Sequence, residues 1–212
     1  MRTLKILFFA LIVRPLVYVI LGLNVRGLER LPTKGPAIIA ANHNSHLDTF
    51  VLMALLPLRL LPRVRPVAAA DYFMSSGLVA WLSTTFIGIL PIERGKREPG
   101  THPLDIPSRR LTAGDILIIY PEGTRGEPEE LAPFKQGIAY LAEQHPDVPI
   151  IPVFLHGLGK SLPKNERIPV PLFCDVFVGE PVRWCGDRRT FMTTLETQIK
   201  ALPQGSYIPN WE

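Results

Sequence analysis

Six short apolar runs, separated by longer segments with helical patterning, constrain the fold of this chain more than any other feature. Each run is bounded by Gly, Pro, Asp or Asn, as buried strands usually are. The runs are AIIAA (37–41), RPVAAA (65–70), GILPIE (88–93), DILIIYP (115–121), VPIIPVFL (148–155) and LFCDVFVG (172–179). Alternation of buried strands with helices predicts an α/β fold in which the strands form a largely parallel or mixed sheet.

Four segments between these runs and one after the last run have the composition and length of helices, and an additional short strand and turn are expected at NVRGLERLPTKG (24–35). The helical candidates are residues 47–56, 71–86, 108–114, 134–144 and 189–202. A chain of 212 residues is long enough for one sizeable core and short for two. We therefore predict a single α/β domain over residues 25–212, with a mixed, largely parallel sheet flanked by helices.

Residues 1–24 carry an apolar segment, Leu4 to Leu23, that has the length of a membrane span. Arg14 and Pro15 fall at its middle, and one central Arg costs about 2.5–3.5 kcal/mol on insertion scales. No small-residue cleavage site follows, which argues against a removable signal peptide. We expect a helix, kinked near Pro15, that lies in or dips into one leaflet. A true span and a core helix packed on the domain are the alternatives.

Charge is unevenly distributed, because residues 1–65 contain nine Lys or Arg and two acids, whereas the whole chain has a net charge of +4. A basic, apolar N-terminal third suits an anionic membrane surface better than nucleic acid, since few exposed aromatic residues accompany the charges. An ordinary solvated basic face is the alternative. The two cysteines form no CxxC pattern, which favours a reducing compartment. We expect a membrane-associated protein on the cytoplasmic face that does not bind nucleic acid.

The heptapeptide NHNSHLD (42–48) concentrates acid–base groups in one loop after an expected strand. On a regular helix His43 and Asp48 would lie about 140° apart, so they can meet only if His43 precedes the helix. Ser45 followed three residues later by Asp48 resembles a capping box, which leaves His43 unexplained. A His–Asp pair supplies a general base, because the carboxylate fixes the imidazole tautomer and stabilises the imidazolium.

A metal site is the rival interpretation of this loop. His43, His46 and Asp48 would be ligands, and His102 or His156 would complete the set. The histidines form no recognisable ligand pattern, so no metal is expected. The chain also has no GxSxG nucleophile motif. A base without its own nucleophile indicates direct attack by a hydroxyl group of the substrate.

Two further loops carry groups suited to a phosphate. In YPEGTRG (120–126), Gly123 and Thr124 can present backbone N–H groups in a tight turn, and Arg125 offers a planar set of donors. In GILPIERGKR (88–97), Arg94 stands at the end of an apolar run. Each feature alone is weak, because an Arg after a strand is more often solvated or in a surface ion pair.

Together these blocks resemble the glycerolipid acyltransferase family, most closely its 1-acylglycerol-3-phosphate acyltransferases. Four motifs of that family occur here in the family's order: HxxxxD within NHNSHLD, then PIER, then PEGTR, then the apolar VPIIPVFLHG. They extend over residues 42 to 157. The family usually has Phe where this chain has Tyr120, Ser where it has Gly126, and Asp or Asn where it has Glu93. None of these departures removes a proposed catalytic group.

The resemblance implies that His43 deprotonates the free hydroxyl of a lysophospholipid and that Asp48 orients His43. The acyl donor would be a thioester, acyl-CoA or acyl-carrier protein, and no other cofactor is expected. The residues that the resemblance assigns to acceptor binding are Arg94, Glu122, Gly123, Thr124 and Arg125. The expected reaction converts 1-acylglycerol-3-phosphate to phosphatidic acid at a membrane surface.

Three alternatives remain open at the level of sequence. A different lysolipid could be the acceptor, since the same loops would hold its phosphate. A metal-dependent hydrolase of lipid phosphates would need His46 as a ligand and would lose activity on chelation. A non-catalytic lipid-binding protein would hold the phosphate without consuming a thioester.

Overall fold

The computed structural model describes residues 2–45, 47–70, 83–92, 102–126, 131–161 and 173–204. Seven strands form one sheet with the order β1-β7-β6-β2-β5-β3-β4. The strands are β1 Gly22–Arg26, β2 Ala37–Ala41, β3 Val64–Ala69, β4 Leu90–Ile92, β5 Ile116–Ile119, β6 Ile150–His156 and β7 Phe173–Val178. All neighbouring pairs are parallel except β6 and β7, which confirms the predicted mixed, largely parallel sheet.

Helices flank the sheet, as expected for an α/β fold. The α-helices are α1 Arg2–Phe8, α2 Arg14–Ile20, α3 Leu47–Leu55, α4 Asp105–Thr112, α5 Gly137–Gln144, α6 Leu158–Ser161 and α7 Arg188–Ala201. Shorter turns are 3-10 helical at Leu28–Arg30 and Leu58–Arg63 and π-helical at Phe9–Val13 and Ser83–Ile87. Most of the helix predicted at residues 71–86 lies outside the described residues.

The strands bury side chains on both faces of the sheet and so separate two cores. In β2, Ile39 faces a core that contains α3 and the N-terminal helices. Its neighbours Ile38 and Ala40 face the other core, which α4, α5 and α7 cover. Because side chains of a strand alternate between faces, a continuous apolar strand fits only a sheet covered on both sides.

The N-terminal helical segment, residues 2–20, is part of the first core rather than separate from it. Phe9, Val13 and Val17 are buried and recur every four residues, so they form one stripe against the domain. Pro15 lies in the first turn of α2, and a π-helical turn lies directly before this helix.

The opposite face of this helical segment is apolar and exposed. Its large exposed side chains are Leu4, Leu7, Leu11, Ile12, Leu16, Tyr18 and Val19. Lys5, by contrast, points inward, where its ammonium group donates to the carbonyls of Val64 at 3.2 Å and Ile87 at 2.7 Å. Burial is the main cause that lowers the pKa of Lys5 to about 7. Among the described helices, none combines the length and the hydropathy needed to cross a bilayer.

Candidate active site

Two of the predicted motifs meet because the strands before them are parallel neighbours. Strands β2 and β5 pair in register, with Ala40 opposite Ile119. NHNSHLD leaves the carboxyl end of β2, and YPEGTRG leaves the carboxyl end of β5. Loops at this edge of an open α/β sheet commonly form binding sites. The sheet therefore places the two loops side by side although they are separated by more than seventy residues.

Helix α3 begins with the expected polar cap. The Ser45 hydroxyl accepts the backbone N–H of Leu47 at 3.3 Å. In return, Oδ2 of Asp48 accepts the backbone N–H of Ser45 at 2.9 Å and that of Asn44 at 2.7 Å. The contact to Leu47 occupies an N–H group that the first turn of a helix leaves without an intrahelical partner, and the contacts of Asp48 occupy two amides just before the helix.

The same carboxylate oxygen also contacts the imidazole of His43. Nδ1 of His43 lies 2.8 Å from Oδ2 of Asp48, with the His side chain 20% exposed and the Asp side chain fully buried. His43 lies before α3 and Asp48 lies in its first turn, which is the arrangement that the five-residue spacing requires. Capping and His–Asp pairing are therefore compatible uses of one side chain.

Opposing influences act on the acidity of Asp48. Burial raises the pKa of Asp48, while the hydrogen bonds from His43 and from the two backbone N–H groups lower it. Its second oxygen, Oδ1, is buried and has no hydrogen-bond partner among the residues that the structure describes. An ionised Asp48 fixes the proton of His43 on Nδ1, so the free lone pair of the imidazole is on Nε2.

Tyr120 covers one face of the His43 ring. The two ring centroids are 4.0 Å apart and the planes differ by 14°, which is a stacked arrangement. The Tyr120 hydroxyl lies 2.8 Å from the Thr49 hydroxyl in α3. Burial raises the pKa of Tyr120 well above its ordinary value, and the charge of Asp48 adds to this effect. The phenol therefore stays protonated. Tyr120 thus restricts the His43 ring from the side of β5.

Glu122 connects the two loops through backbone contacts. Its Oε1 accepts the N–H of His43 at 2.9 Å, and its Oε2 accepts the N–H of Ala132 at 3.0 Å. The N–H of Gly126 donates to the carbonyl of His43 at 3.0 Å, which adds a second link. The pKa of Glu122 is raised, mainly because the carboxyl group is buried. Both carboxylate oxygens are engaged within the protein, a role that the sequence analysis did not foresee.

The PEGTR turn differs in one respect from the prediction that its backbone N–H groups are available to a phosphate. Gly123 has a φ of 74°, and its N–H donates to the carbonyl of Tyr120 at 2.9 Å, so this group closes the turn. A Cβ on Gly123 would lie 2.8 Å from Nζ of Lys135, which shows how closely this amine approaches the turn. Thr124 is exposed and Arg125 is partly exposed. The Gly123 amide is therefore engaged within the loop, and the side chain of Thr124 is exposed beside it.

Arg94 and His46 are outside the described residues. His102 stacks on Tyr140, with ring centroids 3.6 Å apart, at the start of α4. The described ranges contain no group of three or more His, Cys, Asp or Glu side chains arranged to hold a metal ion.

Asn42 is a site residue that sequence reasoning missed. Its side-chain amide donates to the carbonyl of Leu155 at 2.9 Å and accepts the N–H of Leu155 at 2.7 Å. The buried amide continues the pairing of β2 with β6 by one step and holds the loop at the place where His43 begins. The available signal was an Asn directly after a fully apolar strand, where its polar atoms would need partners.

Comparison with known proteins identifies relatives over most of the chain. A family model described as Acyltransferase matches residues 22–156. The chain is 32% identical over 163 residues to 1-acyl-sn-glycerol-3-phosphate acyltransferase alpha from Mus musculus. The aligned region covers 75% of this chain and 54% of that protein. It is 35% identical over 136 residues to the beta protein from Homo sapiens, which covers 63% of this chain and 46% of that protein. The chain thus spans about half the length of the curated relatives it matches.

A solved structure has the same fold. The crystal structure of the 1-acyl-sn-glycerophosphate (LPA) acyltransferase, PlsC, from Thermotoga maritima superposes with a TM-score of 0.74. The match covers 98% of this chain and 81% of that chain at 19% sequence identity. At this identity the likeness establishes the fold.

Because Glu122 accepts two backbone N–H groups, we expect its substitution to lower the stability of the protein. In Glu122→Gln, an NH₂ group replaces one acceptor oxygen and must face the N–H of either His43 or Ala132. We expect the free energy of unfolding to fall by about 1–3 kcal/mol, the usual cost of an unsatisfied buried group. Chemical denaturation in detergent would measure this loss. In the control Glu143→Gln, an exposed ion pair with Arg188 is lost, and a change of at most about 0.5 kcal/mol is expected. Equal stability of the two variants would contradict the proposed link.

Proposed function

Because the chain belongs to the Acyltransferase family, we propose that it transfers a fatty acyl group from a thioester to the free hydroxyl of a lysophospholipid. The acceptor that the relatives' names support is 1-acylglycerol-3-phosphate, and the product would be phosphatidic acid. The observation that carries the chemical part of this proposal is the 2.8 Å contact between Nδ1 of His43 and Oδ2 of Asp48. It provides an oriented general base in a partly open loop at the carboxyl edge of the sheet.

The proposed reaction needs no nucleophile from the protein. Nε2 of His43 removes the proton of the acceptor hydroxyl while the oxygen attacks the thioester carbonyl. The tetrahedral intermediate collapses, the C–S bond breaks, and the imidazolium of His43 returns the proton to the leaving thiolate. The products are a diacyl phospholipid and a free thiol, that of CoA or of the carrier protein. Asp48 stabilises the imidazolium that forms between these two steps.

The acceptor phosphate would bind beside this base. Arg125 follows the turn that Glu122 connects to His43, so a phosphate on its guanidinium group would lie within the same pair of loops. Arg94 is proposed as the second guanidinium on the basis of the family motif. Thr124 can add its exposed hydroxyl. Lys135 approaches Gly123 and offers a further positive charge near the turn.

Lipid substrates suit the exposed apolar face of the N-terminal helical segment. We infer that this face lies in one leaflet, since the segment buries its other face in the domain and turns Lys5 inward. The protein would then meet its substrates at the membrane surface, on the cytoplasmic side. Deletion of residues 1–24 would be a direct test of membrane attachment by this segment, but it would also remove Phe9 and Val17 from the core. Substitutions on the outer face are therefore the sharper experiment.

The general base gives the first functional prediction. We expect His43→Ala to lower kcat by about 10²–10⁴-fold, the usual contribution of general base catalysis. Purified protein in detergent would be given acyl-CoA or acyl-carrier protein with lysophosphatidic acid, and thiol release and phosphatidic acid would be followed with and without EDTA. The control His145→Ala removes a histidine that contacts Ser108 on α4 and should retain activity. A His43→Ala enzyme with most of its activity would refute the base, and activity abolished by EDTA would favour a metal-dependent reaction.

The phosphate site gives a prediction about KM. Arg125→Ala and Arg94→Ala should each raise the KM for the acceptor by about 10-fold or more, because a charge-assisted contact contributes about 1.5–3 kcal/mol. The kcat should change much less, since these residues do not take part in proton transfer. Steady-state kinetics with varied lysophosphatidic acid would measure both constants. Arg59→Ala is the control, because Arg59 is exposed in the 3-10 turn after α3, before β3 begins. An unchanged KM in Arg125→Ala would contradict the assignment.

The apolar outer face gives a prediction about membrane binding. Leu11→Glu combined with Val19→Glu should reduce co-sedimentation with phospholipid vesicles, because each charge would have to enter the leaflet. Both side chains are largely exposed, at 71% and 83%, so thermal unfolding should be little affected. The control Ile106→Glu alters an exposed apolar residue on α4 and should sediment like the wild type. Undiminished sedimentation of the double variant would exclude this face as the attachment surface.

A further inference from the structure

The carboxyl end of α3 is capped by a residue from another helix. The last turn of α3 contains no basic residue, although its free carbonyls favour a cation. Arg14 supplies one: its Nε donates to the carbonyl of Ala54 at 3.0 Å and its Nη2 donates to the carbonyl of Leu56 at 2.6 Å. A planar guanidinium can serve both carbonyls at once, which an ammonium group does less well.

This contact gives Arg14 a structural role that its position in the sequence does not indicate. In the sequence, Arg14 is a charge at the centre of an apolar segment and an obstacle to membrane insertion. In the structure its side chain turns away from the exposed apolar face and reaches α3, so the outer face keeps its apolar character. A second contact joins the N-terminal helical segment to α3, since the rings of Phe9 and Phe50 stack with centroids 6.4 Å apart.

The helix that Arg14 caps is short and carries the proposed catalytic acid. Helix α3 has nine residues, about two and a half turns, and Asp48 is in its first turn. Its amino end is held by Ser45 and by Asp48 itself. Without Arg14, two carbonyls at the other end would lose their donors, and the last turn would fray. The rest of α3 would then depend on the packing of its buried apolar side chains and on the contacts of Asp48, the residue that must also keep His43 in place.

We propose that Arg14 is a positioning residue for the His43–Asp48 pair and acts through α3. It does not touch the reacting atoms. Its guanidinium group keeps α3 seated against the N-terminal helical segment, so that Oδ2 of Asp48 stays in reach of His43 and of the amides of Asn44 and Ser45. The catalytic consequence rests on the function proposed above, whereas the structural consequence does not.

Lys5 offers a matched control on the same helical segment. Its ammonium group also turns inward and donates to two backbone carbonyls, but these belong to Val64 and Ile87 and not to α3. Lys5→Met therefore removes a buried amino group that attaches the N-terminal segment to the domain and leaves the α3 cap intact. Arg14→Met removes the cap with the same replacement. Arg14→Lys keeps the charge and can serve one carbonyl.

The experiment uses the full chain in detergent and has two measurements. Hydrogen exchange of the Asn44 and Ser45 amides reports the contacts of Asp48, and steady-state acyl transfer reports catalysis. In Arg14→Met we expect these amides to exchange about tenfold faster and kcat to fall about tenfold, since small misplacements of catalytic groups are costly. The acceptor KM should change less than about twofold, because the phosphate site is elsewhere. Arg14→Lys should be intermediate, and Lys5→Met should match the wild type in both measurements.

Each outcome decides the proposal. Wild-type exchange in Arg14→Met, or equal acceleration in Lys5→Met, would overturn it, since the effect would then be absent or would reflect general loosening of the N-terminal segment. If Arg14→Met does not fold, Arg14→Lys carries the same comparison, and wild-type exchange and kcat in that variant would count against the proposal. A wild-type protein without acyl transfer would contradict the proposed function, and the exchange measurement would still decide the role of Arg14.

Discussion

One carboxylate oxygen, Oδ2 of Asp48, receives three hydrogen bonds: from His43, from the Asn44 amide and from the Ser45 amide. A fully buried carboxylate is costly to ionise unless such donors surround it. The two amides lie just before α3, so the carboxylate that helps to begin the helix also orients the imidazole. If Asp48 moved, the helix cap and the position of His43 would be lost together.

The parallel sheet supplies what the heptapeptide cannot supply alone. Strands β2 and β5 are neighbours, so the loop that carries His43 lies beside the loop that carries Tyr120 and Glu122. Tyr120 stacks on the imidazole, and Glu122 binds the backbone of the same residue. His43 is therefore held at its ring and at its main chain by a segment almost eighty positions away. Asn42 adds a third connection, to β6 on the other side.

The N-terminal segment combines two surfaces that composition alone does not separate. Its inner stripe, which includes Phe9 and Val17, packs with α3 and one face of the sheet. Its outer surface is apolar and exposed. From the sequence alone, Lys5 belongs to a basic segment suited to an anionic surface, and Arg14 is a barrier to membrane insertion. Both bind backbone carbonyls inside the domain, so they act on the packing of this segment more than on its approach to lipid.

The amino-acid sequence by itself determined the α/β class, the six apolar runs that form β2 to β7 and the place of His43 before a helix that starts near Asp48. These features depend on local periodicity, on residues that bound strands and on helix capping, which act over a few positions. Only the tertiary structure decided that Glu122 binds backbone N–H groups, that the Gly123 N–H closes its own turn, and that Arg14 caps α3. The partners in the Glu122 and Arg14 contacts are distant in sequence or belong to another element, and a motif does not specify which donor meets which acceptor. Their pairing follows from sheet order and helix packing, which the chain acquires only when it folds.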